Sequence, residues 1–211
     1  MSPIARTVSL CVVFISAVVG MFVYSTLQTP QLSDEEMRQR GVFILPRPRA
    51  LTEINLESHT GAAFTNGTLE GKWSFIFFGF THCPDICPTS MSVLGQVARG
   101  LQQDRVENAD DFQGILVTVD PERDTLEKLG IYATAFAPDF IGVRGDRASL
   151  AEFATQVNVA FAKVPDGDGY TMDHTGNIVI LNPMGHYHGF VKLPHDAETI
   201  RLTFQSLAAR F

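Results

Sequence analysis

The apolar positions of the chain form one long stretch near the amino end and many short runs after it. Val8–Thr26 is almost wholly apolar, and no formally charged residue occurs between Arg6 and Asp34. At about 1.5 Å of rise per residue, a helix of this length reaches roughly 28 Å, which is close to the thickness of a bilayer core. The pattern therefore predicts a membrane-spanning helix.

The charges on either side of this stretch predict its orientation. Arg6 and the free amino terminus precede it, whereas Asp34, Glu35 and Glu36 follow it. Because positive charge is retained on the cytoplasmic side, the amino end is expected in the cytoplasm and the rest of the chain across the membrane. A cleaved signal peptide is the alternative, although no small-x-small cleavage pattern follows the apolar stretch. A mitochondrial transit peptide would be rich in arginine, so a bacterial inner membrane with the domain in the periplasm is expected.

The remainder of the chain divides into a tether and one domain. Residues 28–50 hold three prolines around a mixed cluster of charges, which is typical of a spacer, with one or two helical turns at Asp34–Arg40. Residues 1–27 are therefore predicted as the membrane anchor, residues 28–50 as the tether and residues 51–211 as the domain.

Short apolar runs of strand length alternate with helical patterns along the domain. Strands are expected at Phe75–Phe80, Gly114–Val119, Phe140–Val143, Ile178–Leu181 and His186–Val191. Helical patterns cover Met91–Leu101, Thr125–Phe136, Ser149–Val157 and Ala197–Ala209. The run Val164–Thr171 is rich in Gly and Asp and is typical of a hairpin turn. The alternation predicts an α/β fold, with one central sheet flanked by helices and at least one added hairpin.

Two cysteines follow the most apolar of these strands. Cys83 and Cys87 are each followed by a proline and stand where the next helical pattern begins. The unpaired N–H groups and the dipole of a helix start favour thiolate over thiol, so this position indicates chemistry rather than packing. Two buried structural cysteines are the alternative. Three cysteines are too few for a disulfide scaffold, and Cys11 lies in the apolar amino-terminal stretch.

The spacing of the pair leaves two kinds of chemistry open. Thiol–disulfide exchangers of the C-x-x-C type have two residues between their cysteines, whereas three residues separate Cys83 from Cys87. The extra residue lets the two sulfurs spread around a metal ion and still approach closely enough to form a disulfide. A metal carrier and a thiol reductase are therefore both compatible with this motif.

A histidine and an aspartate further along the chain are candidates for the same site. Two thiolates and the imidazole of His174 would form a soft site that suits copper(I), or copper(II) with a fourth weak ligand, and zinc could use the same set. Alone, His174 would be interpreted as an exposed loop residue. Asp120 ends a predicted strand, at the edge where sites gather, but Asp-Pro is also an ordinary turn. Arg123 and Asp124 are interpreted as structural.

The charge of the chain excludes one class of partner. The formal net charge is −7, and no run of lysine or arginine occurs. A nucleic-acid-binding surface requires such a basic patch, so nucleic acid is not an expected partner.

Taken together, the motifs resemble those of the Sco family of membrane-anchored copper proteins that assemble cytochrome c oxidase. The matching blocks are T-H-C-P-D-I-C-P at Thr81–Pro88, D-P-E-R-D at Asp120–Asp124 and D-H at Asp173-His174, within a match from about Leu51 to the carboxyl end. The resemblance implies a thioredoxin-like fold with an extra hairpin. It also implies that Cys83, Cys87 and His174 bind copper.

The resemblance implies further roles for the same residues. Cys83 and Cys87 would form a redox-active disulfide when oxidised. Independently of the resemblance, Asp120 and Asp173 are candidates to support the ligands from outside the metal's coordination shell, and a capping role is the alternative for Asp120. The expected function is a metallochaperone that delivers copper to the binuclear copper site of cytochrome c oxidase without turning over a substrate. Expected partners are the oxidase subunit that holds this site, an upstream copper donor and a thioredoxin-like reductant. The alternatives are an oxidoreductase that reduces the cysteines of that site and, with less support, a thiol peroxidase.

Overall fold

The computed structural model describes residues 2–27 and 31–211, and the chain divides into two units, Met1–Gln31 and Leu32–Phe211. The first unit is the helix α1 (Pro3–Leu27). Its segment Pro3–Phe22 has 20 residues with a mean hydropathy of 2.1, and in the described part of the chain it is the one helix long and apolar enough to cross a membrane. The helix is therefore compatible with the predicted membrane anchor.

The second unit contains the remaining helices and strands. The helices are α2 (Asp34–Gln39), α3 (Asn66–Leu69), α4 (Ile86–Gln103), α5 (Leu126–Thr134), α6 (Arg147–Gln156) and α7 (Ala197–Ala208). The strands are β1 (Val42–Arg49), β2 (Leu56–Ser58), β3 (Ala63–Phe64), β4 (Trp73–Gly79), β5 (Phe112–Thr118), β6 (Ile141–Arg144), β7 (Phe161–Asp166), β8 (Gly169–His174), β9 (Ile178–Leu181) and β10 (Tyr187–Val191). The predicted α/β fold, with a sheet flanked by helices, is confirmed.

Eight strands form one mixed sheet in the order β1-β10-β9-β4-β5-β6-β2-β3. The strand β4 lies parallel to β5 on one side, with Phe77 opposite Leu116, and antiparallel to β9 on the other, with Phe77 opposite Ile178. All seven residues of β4 are buried, as the continuous apolar run predicts for a strand covered on both faces. The position of its carboxyl end is therefore fixed from two sides.

The helix α4 follows β4 and covers part of the core. Its buried apolar residues are Met91, Leu94, Val97 and Leu101, which recur at the spacing of one helical face. This face packs against β4 and β5, and α4 also packs against α7. The first turn of α4, which carries Cys87, is thereby held next to the end of β4.

The segment predicted as a tether belongs largely to the second unit. The strand β1 pairs antiparallel with β10 at one edge of the sheet, and Leu32, Met37 and Val42 are buried in the core. The prediction of a tether over residues 28–50 is therefore wrong for residues 32–49, and residues 28–30 lie outside the described part of the chain. The prolines mislead because an edge strand tolerates residues that cannot donate to a neighbour, so a proline-rich edge strand and a spacer have similar compositions.

The strands β7 and β8 form a separate two-stranded sheet. Their connection runs through Gly167, whose φ of +54° is in the left-handed region that favours glycine. The hairpin turn predicted in this part of the sequence is confirmed. His174 is the last residue of β8 and pairs with Phe161 at the base of the hairpin.

The core packing predicts opposite effects for two glycine substitutions. In Gly114→Ala, the new Cβ would lie 2.4 Å from the ring of Phe140, whereas in Gly100→Ala its nearest neighbour is 3.8 Å away. We expect Gly114→Ala to lower the free energy of unfolding by about 1–3 kcal/mol through overpacking. Gly100→Ala should raise it by about 0.5–1 kcal/mol, because alanine favours a helix interior.

Urea unfolding of the detergent-solubilised chain, followed by the fluorescence of its one tryptophan, measures both effects. An unfolding midpoint for Gly114→Ala at or above that of the parent would contradict this description of the core.

Candidate metal centre

The cysteine loop begins where β4 ends. The backbone N–H of Cys83 donates to the carbonyl oxygen of Phe80 at 3.2 Å, which turns the chain toward the start of α4. Cys87 is the second residue of that helix and is fully buried, whereas Cys83 is half-buried. Both are free thiols. The pair therefore lies at a helix amino terminus, with Cys83 the more accessible sulfur.

Gly79 makes room for the buried sulfur. A Cβ at this position would lie 3.0 Å from the Sγ of Cys87 and 3.0 Å from the ring of Phe77. Any side chain here would press on both neighbours. The glycine that interrupts the aromatic run of the strand thus lets Cys87 lie directly against the end of β4.

His174 reaches Cys87 from the separate hairpin. Its Nδ1 is 3.1 Å from the carbonyl oxygen of Thr175, to which it must donate because a carbonyl only accepts. The lone pair is therefore on Nε2, which is 3.7 Å from the Sγ of Cys87. The rings of Phe77 and Phe80 contact the imidazole edge-on, with centroids 5.7 and 6.0 Å away. This hydrogen bond and this packing orient a nitrogen that could ligate a metal toward a thiol.

Burial keeps the two contacting groups neutral. It lowers the pKa of His174, against opposing effects of the Thr175 carbonyl and the charge of Asp173. Burial also raises the pKa of the Cys87 thiol, and its hydrogen bond with the neighbouring Cys83 raises it further. The resting contact is thus a neutral S–H donating to a neutral imidazole. A soft cation would displace the thiol proton when it binds.

Cys83 completes the predicted set, but the three side chains are not assembled around one point. Within residues 2–27 and 31–211, no group of three His, Cys, Asp or Glu side chains is placed to hold a metal ion. The structure brings Cys87 and His174 into contact and leaves Cys83 at the rim. Binding through all three would require the half-buried Cys83 side chain to turn toward Cys87 and His174.

The two predicted supporting aspartates differ in their surroundings. Asp120 is 2% exposed and accepts hydrogen bonds from Arg123 and, at 3.0 Å, from the hydroxyl of Tyr170. These partners connect it to the hairpin that carries His174 rather than to the cysteines. Asp173 is exposed, and its negative charge raises the pKa of His174.

Asp124 holds the start of the cysteine loop, a role that the sequence did not reveal. Its fully buried carboxylate accepts from the backbone N–H of Thr81 at 3.1 Å, from the Thr81 hydroxyl at 2.6 Å and from the Thr118 hydroxyl at 2.7 Å. The Nδ1 of His82 is 3.6 Å from the same carboxylate. Asp124 is structural, as expected, but the segment it holds leads directly into Cys83.

Tyr132 is a second residue that the sequence did not connect with the site. Its hydroxyl is buried and has no hydrogen-bond partner within the described residues. Burial raises its pKa most, and the nearby Cys87, Cys83 and Asp124 side chains, whose ionised forms would repel a phenolate, raise it further, which identifies Tyr132 as a neighbour of the cysteine loop. Tyr132 lies in a helix more than forty residues after the cysteine motif, and no local sequence pattern connects the two.

The domain is thioredoxin-like and has an imidazole beside its thiols. Three features define it: the parallel β4–β5 pair, the order of strands in the sheet, and the thiols at the start of the helix that follows β4. A family model described as SCO1/SenC matches residues 47–209, and the chain belongs to this family. The predicted family is thus confirmed, together with its thioredoxin-like fold.

Named relatives and a solved structure are similar over the same region. A protein of Stutzerimonas stutzeri named putative copper-binding protein is 34% identical over 157 residues, which cover 74% of this chain and 76% of that one. The human mitochondrial protein SCO1 homolog is 32% identical over 159 residues, covering 74% of this chain and 50% of that one. The structure of Bradyrhizobium japonicum ScoI with copper bound has a TM-score of 0.64 and 36% identity, covering 76% of this chain and 98% of that one. The match thus spans about half the length of the human relative.

The unequal burial of the two cysteines predicts unequal reactivity. With iodoacetamide between pH 7 and pH 8, Cys83 of the reduced chain should be modified about tenfold faster than Cys87, since alkylation requires an accessible thiolate. The raised pKa of Cys87 keeps it protonated, so raising the pH to 9 should activate it less than an ordinary thiol, whose pKa is about 8.5. Peptide mass spectrometry measures both rates, and Cys83→Ser serves as the control. Equal rates at the two positions would contradict the described burial.

Proposed function

We propose that this chain is a copper metallochaperone that holds copper through Cys83, Cys87 and His174. The observation that carries the proposal is the 3.7 Å contact between the Sγ of Cys87 and the free Nε2 of His174. Two relatives support it by name, since one is a putative copper-binding protein and the other a ScoI structure with copper bound. Copper is the cargo in this function and leaves the chain unchanged.

The donor set fits copper by its chemistry. Thiolate sulfur and imidazole nitrogen are soft and borderline ligands that suit copper(I) in three-coordinate geometry, and copper(II) if a weak fourth ligand joins. Partly exposed Cys83 offers an entry point, while buried Cys87 and half-buried His174 retain the ion. Transfer then proceeds by ligand exchange with a partner that approaches from the Cys83 side.

The family resemblance and the apolar helix support the wider setting of the proposal. We propose that residues 1–27 anchor the chain in a bacterial inner membrane and that the domain lies in the periplasm. The expected acceptor is the binuclear copper site of cytochrome c oxidase, with an upstream copper donor and a thioredoxin-like reductant as further partners. The reductant is needed because copper binds the two cysteines only as thiolates.

The first test concerns the cysteines. The reduced chain in detergent should bind one copper(I) ion in competition with the chelator bicinchoninate, while Cys83→Ser and Cys87→Ser should each abolish the site. Cys11→Ser is the matched control and should bind as the parent does, because Cys11 lies in α1. A reduced parent chain that cannot compete with a weak copper chelator would refute the proposal.

The second test concerns His174. His174→Ala should weaken copper(I) binding by more than the roughly 10–100-fold that is typical of losing a residue that merely supports a ligand. The Cys83–Cys87 pair should still cycle between dithiol and disulfide, because thiol exchange needs no imidazole. With its thiols kept reduced, the variant should also fail to support assembly of a copper-dependent oxidase in cells.

The control for this test is His186→Ala. His186 directly precedes Tyr187, the first residue of β10, which pairs with Leu181. Leu181 in turn pairs with Ser74, near the start of β4. His186 therefore lies at the end of the sheet opposite Gly79, the last residue of β4. This variant should bind copper and support the oxidase as the parent does.

A thiol–disulfide reductase is the second candidate, and the free, partly exposed thiol of Cys83 is the observation that favours it. One thiolate would attack a disulfide of the partner, forming a mixed disulfide and releasing a partner thiolate. The other would then resolve it, leaving a Cys83–Cys87 disulfide and two reduced partner thiols. If His174→Ala restores oxidase activity fully while Cys83→Ser does not, the reductase is the correct function.

A further inference from the structure

The hairpin that carries His174 lies outside the main sheet. The strands β7 and β8 bond to each other along their whole length and form a sheet of their own. Within residues 31–211, no ladder of backbone hydrogen bonds joins this hairpin to the main sheet. The position of the imidazole relative to Cys87 therefore depends on the side-chain and loop contacts that hold the hairpin in place.

Tyr170 supplies three of these contacts, all to residues of the loop that follows β5. Its hydroxyl donates to the Oδ1 of Asp120 at 3.0 Å, and its backbone carbonyl accepts from the Nη1 of Arg123 at 3.1 Å. The guanidinium carbon of Arg123 stands 3.9 Å from the centre of the Tyr170 ring. The loop after β5 thus holds Tyr170 by its hydroxyl, its carbonyl and its ring at once.

The charged groups around this contact do not contribute equally to holding the hairpin. The Nζ of Lys163 lies 3.7 Å from the centre of the same Tyr170 ring and pairs with Glu122 at 2.7 Å. The side chain of Glu122 is 55% exposed, and exposed ion pairs contribute little to stability. Asp120 is 2% exposed and forms an ion pair with Arg123. Because a buried carboxylate that loses one of its hydrogen-bond donors is left partly unsatisfied, the Tyr170–Asp120 hydrogen bond has more influence on the hairpin than the exposed Lys163–Glu122 pair.

The register of β8 connects Tyr170 with His174. Residues two apart on a strand share a face, so Tyr170, Met172 and His174 point the same way. Met172 is 7% exposed, which shows that this face packs against the domain. A second connection runs through Phe80, whose ring lies 5.8 Å from the guanidinium of Arg123 and 6.0 Å from the imidazole of His174.

We propose that Tyr170 is a positioning residue for copper binding, which with Asp120 and Arg123 holds the hairpin so that Nε2 of His174 faces Cys87. This inference rests on the proposed function, because it assumes that His174 ligates copper. The inference assigns a role to the D-P-E-R-D motif, because its residues Asp120 and Arg123 are the ones that contact Tyr170. Tyr170 is four residues from His174 and is proposed to act through that residue, not as a ligand itself.

The test is Tyr170→Phe in the full chain, which removes the hydroxyl and keeps the ring that Arg123 and Lys163 contact. Copper(I) binding, measured by competition with bicinchoninate, should weaken about tenfold, which is the lower end of the range for residues that orient a ligand. In the metal-free chain, the imidazole ¹⁵N shift of His174 should move as its contact with Cys87 loosens. The midpoint potential of the Cys83–Cys87 pair should stay at the parent value.

The matched control is Tyr187→Phe. It removes a hydroxyl from a fully buried tyrosine opposite Leu181, at the far end of the sheet. Its copper binding and its His174 shift should equal those of the parent. A tenfold loss of copper(I) binding in this control would show that removing any buried tyrosine hydroxyl weakens the site, and it would overturn the inference.

A double variant separates positioning from general destabilisation. In the His174→Ala background, Tyr170→Phe should weaken copper binding no further, because there is no imidazole left to position. A further tenfold loss there, or parent-like binding by Tyr170→Phe alone, overturns the role of Tyr170. If His174→Ala itself binds like the parent, the ligand set of the proposed function fails instead, and the positioning role fails with it.

Discussion

The complete burial of β4 is the constraint on which the candidate site depends. Backbone hydrogen bonds to β5 on one side and β9 on the other fix the strand along its length. Its last residue, Gly79, has no side chain, so the sulfur of Cys87 lies against the strand end. The first turn of α4 is held over this point because its apolar face packs on the same sheet. The thiol is therefore placed by the core rather than by the loop that contains it.

One loop, Asp120–Asp124, joins the two halves of the site. Its last residue, Asp124, accepts hydrogen bonds from Thr81 at the entrance to the cysteine loop. Its first residue, Asp120, accepts one from Tyr170 on the histidine hairpin. Both carboxylates are buried, so each must keep its donors or incur a large desolvation cost. The loop thus sets the distance between the thiols and the imidazole, although none of its side chains contacts either group in the described structure.

The same geometry is compatible with thiol exchange and with metal binding, and the burial of the two groups determines which of these is favoured. A thiol with a raised pKa is a slow nucleophile, but it is a retentive ligand once a soft cation has displaced its proton. An imidazole with a lowered pKa stays neutral and keeps its lone pair available. A neutral histidine leaves the pKa of the buried Cys87 thiol high, so in this state it does not activate the sulfur for disulfide exchange. The electrostatic environment of Cys87 and His174 thus favours metal retention.

The sequence alone determined the α/β fold, most helix and strand positions and the family, because these depend on local periodicity and on motifs with fixed spacing. It also marked Cys83, Cys87 and His174 as candidates from their chemistry. Only the tertiary structure decided that residues 32–49 belong to the domain, since an edge strand with prolines has the composition of a spacer. It alone showed that Asp124 holds the cysteine loop and that Tyr170 holds the hairpin. Those contacts join segments more than forty residues apart. A local pattern of apolar and polar positions predicts helices and strands, but it does not predict which buried carboxylate accepts a hydrogen bond from which distant hydroxyl.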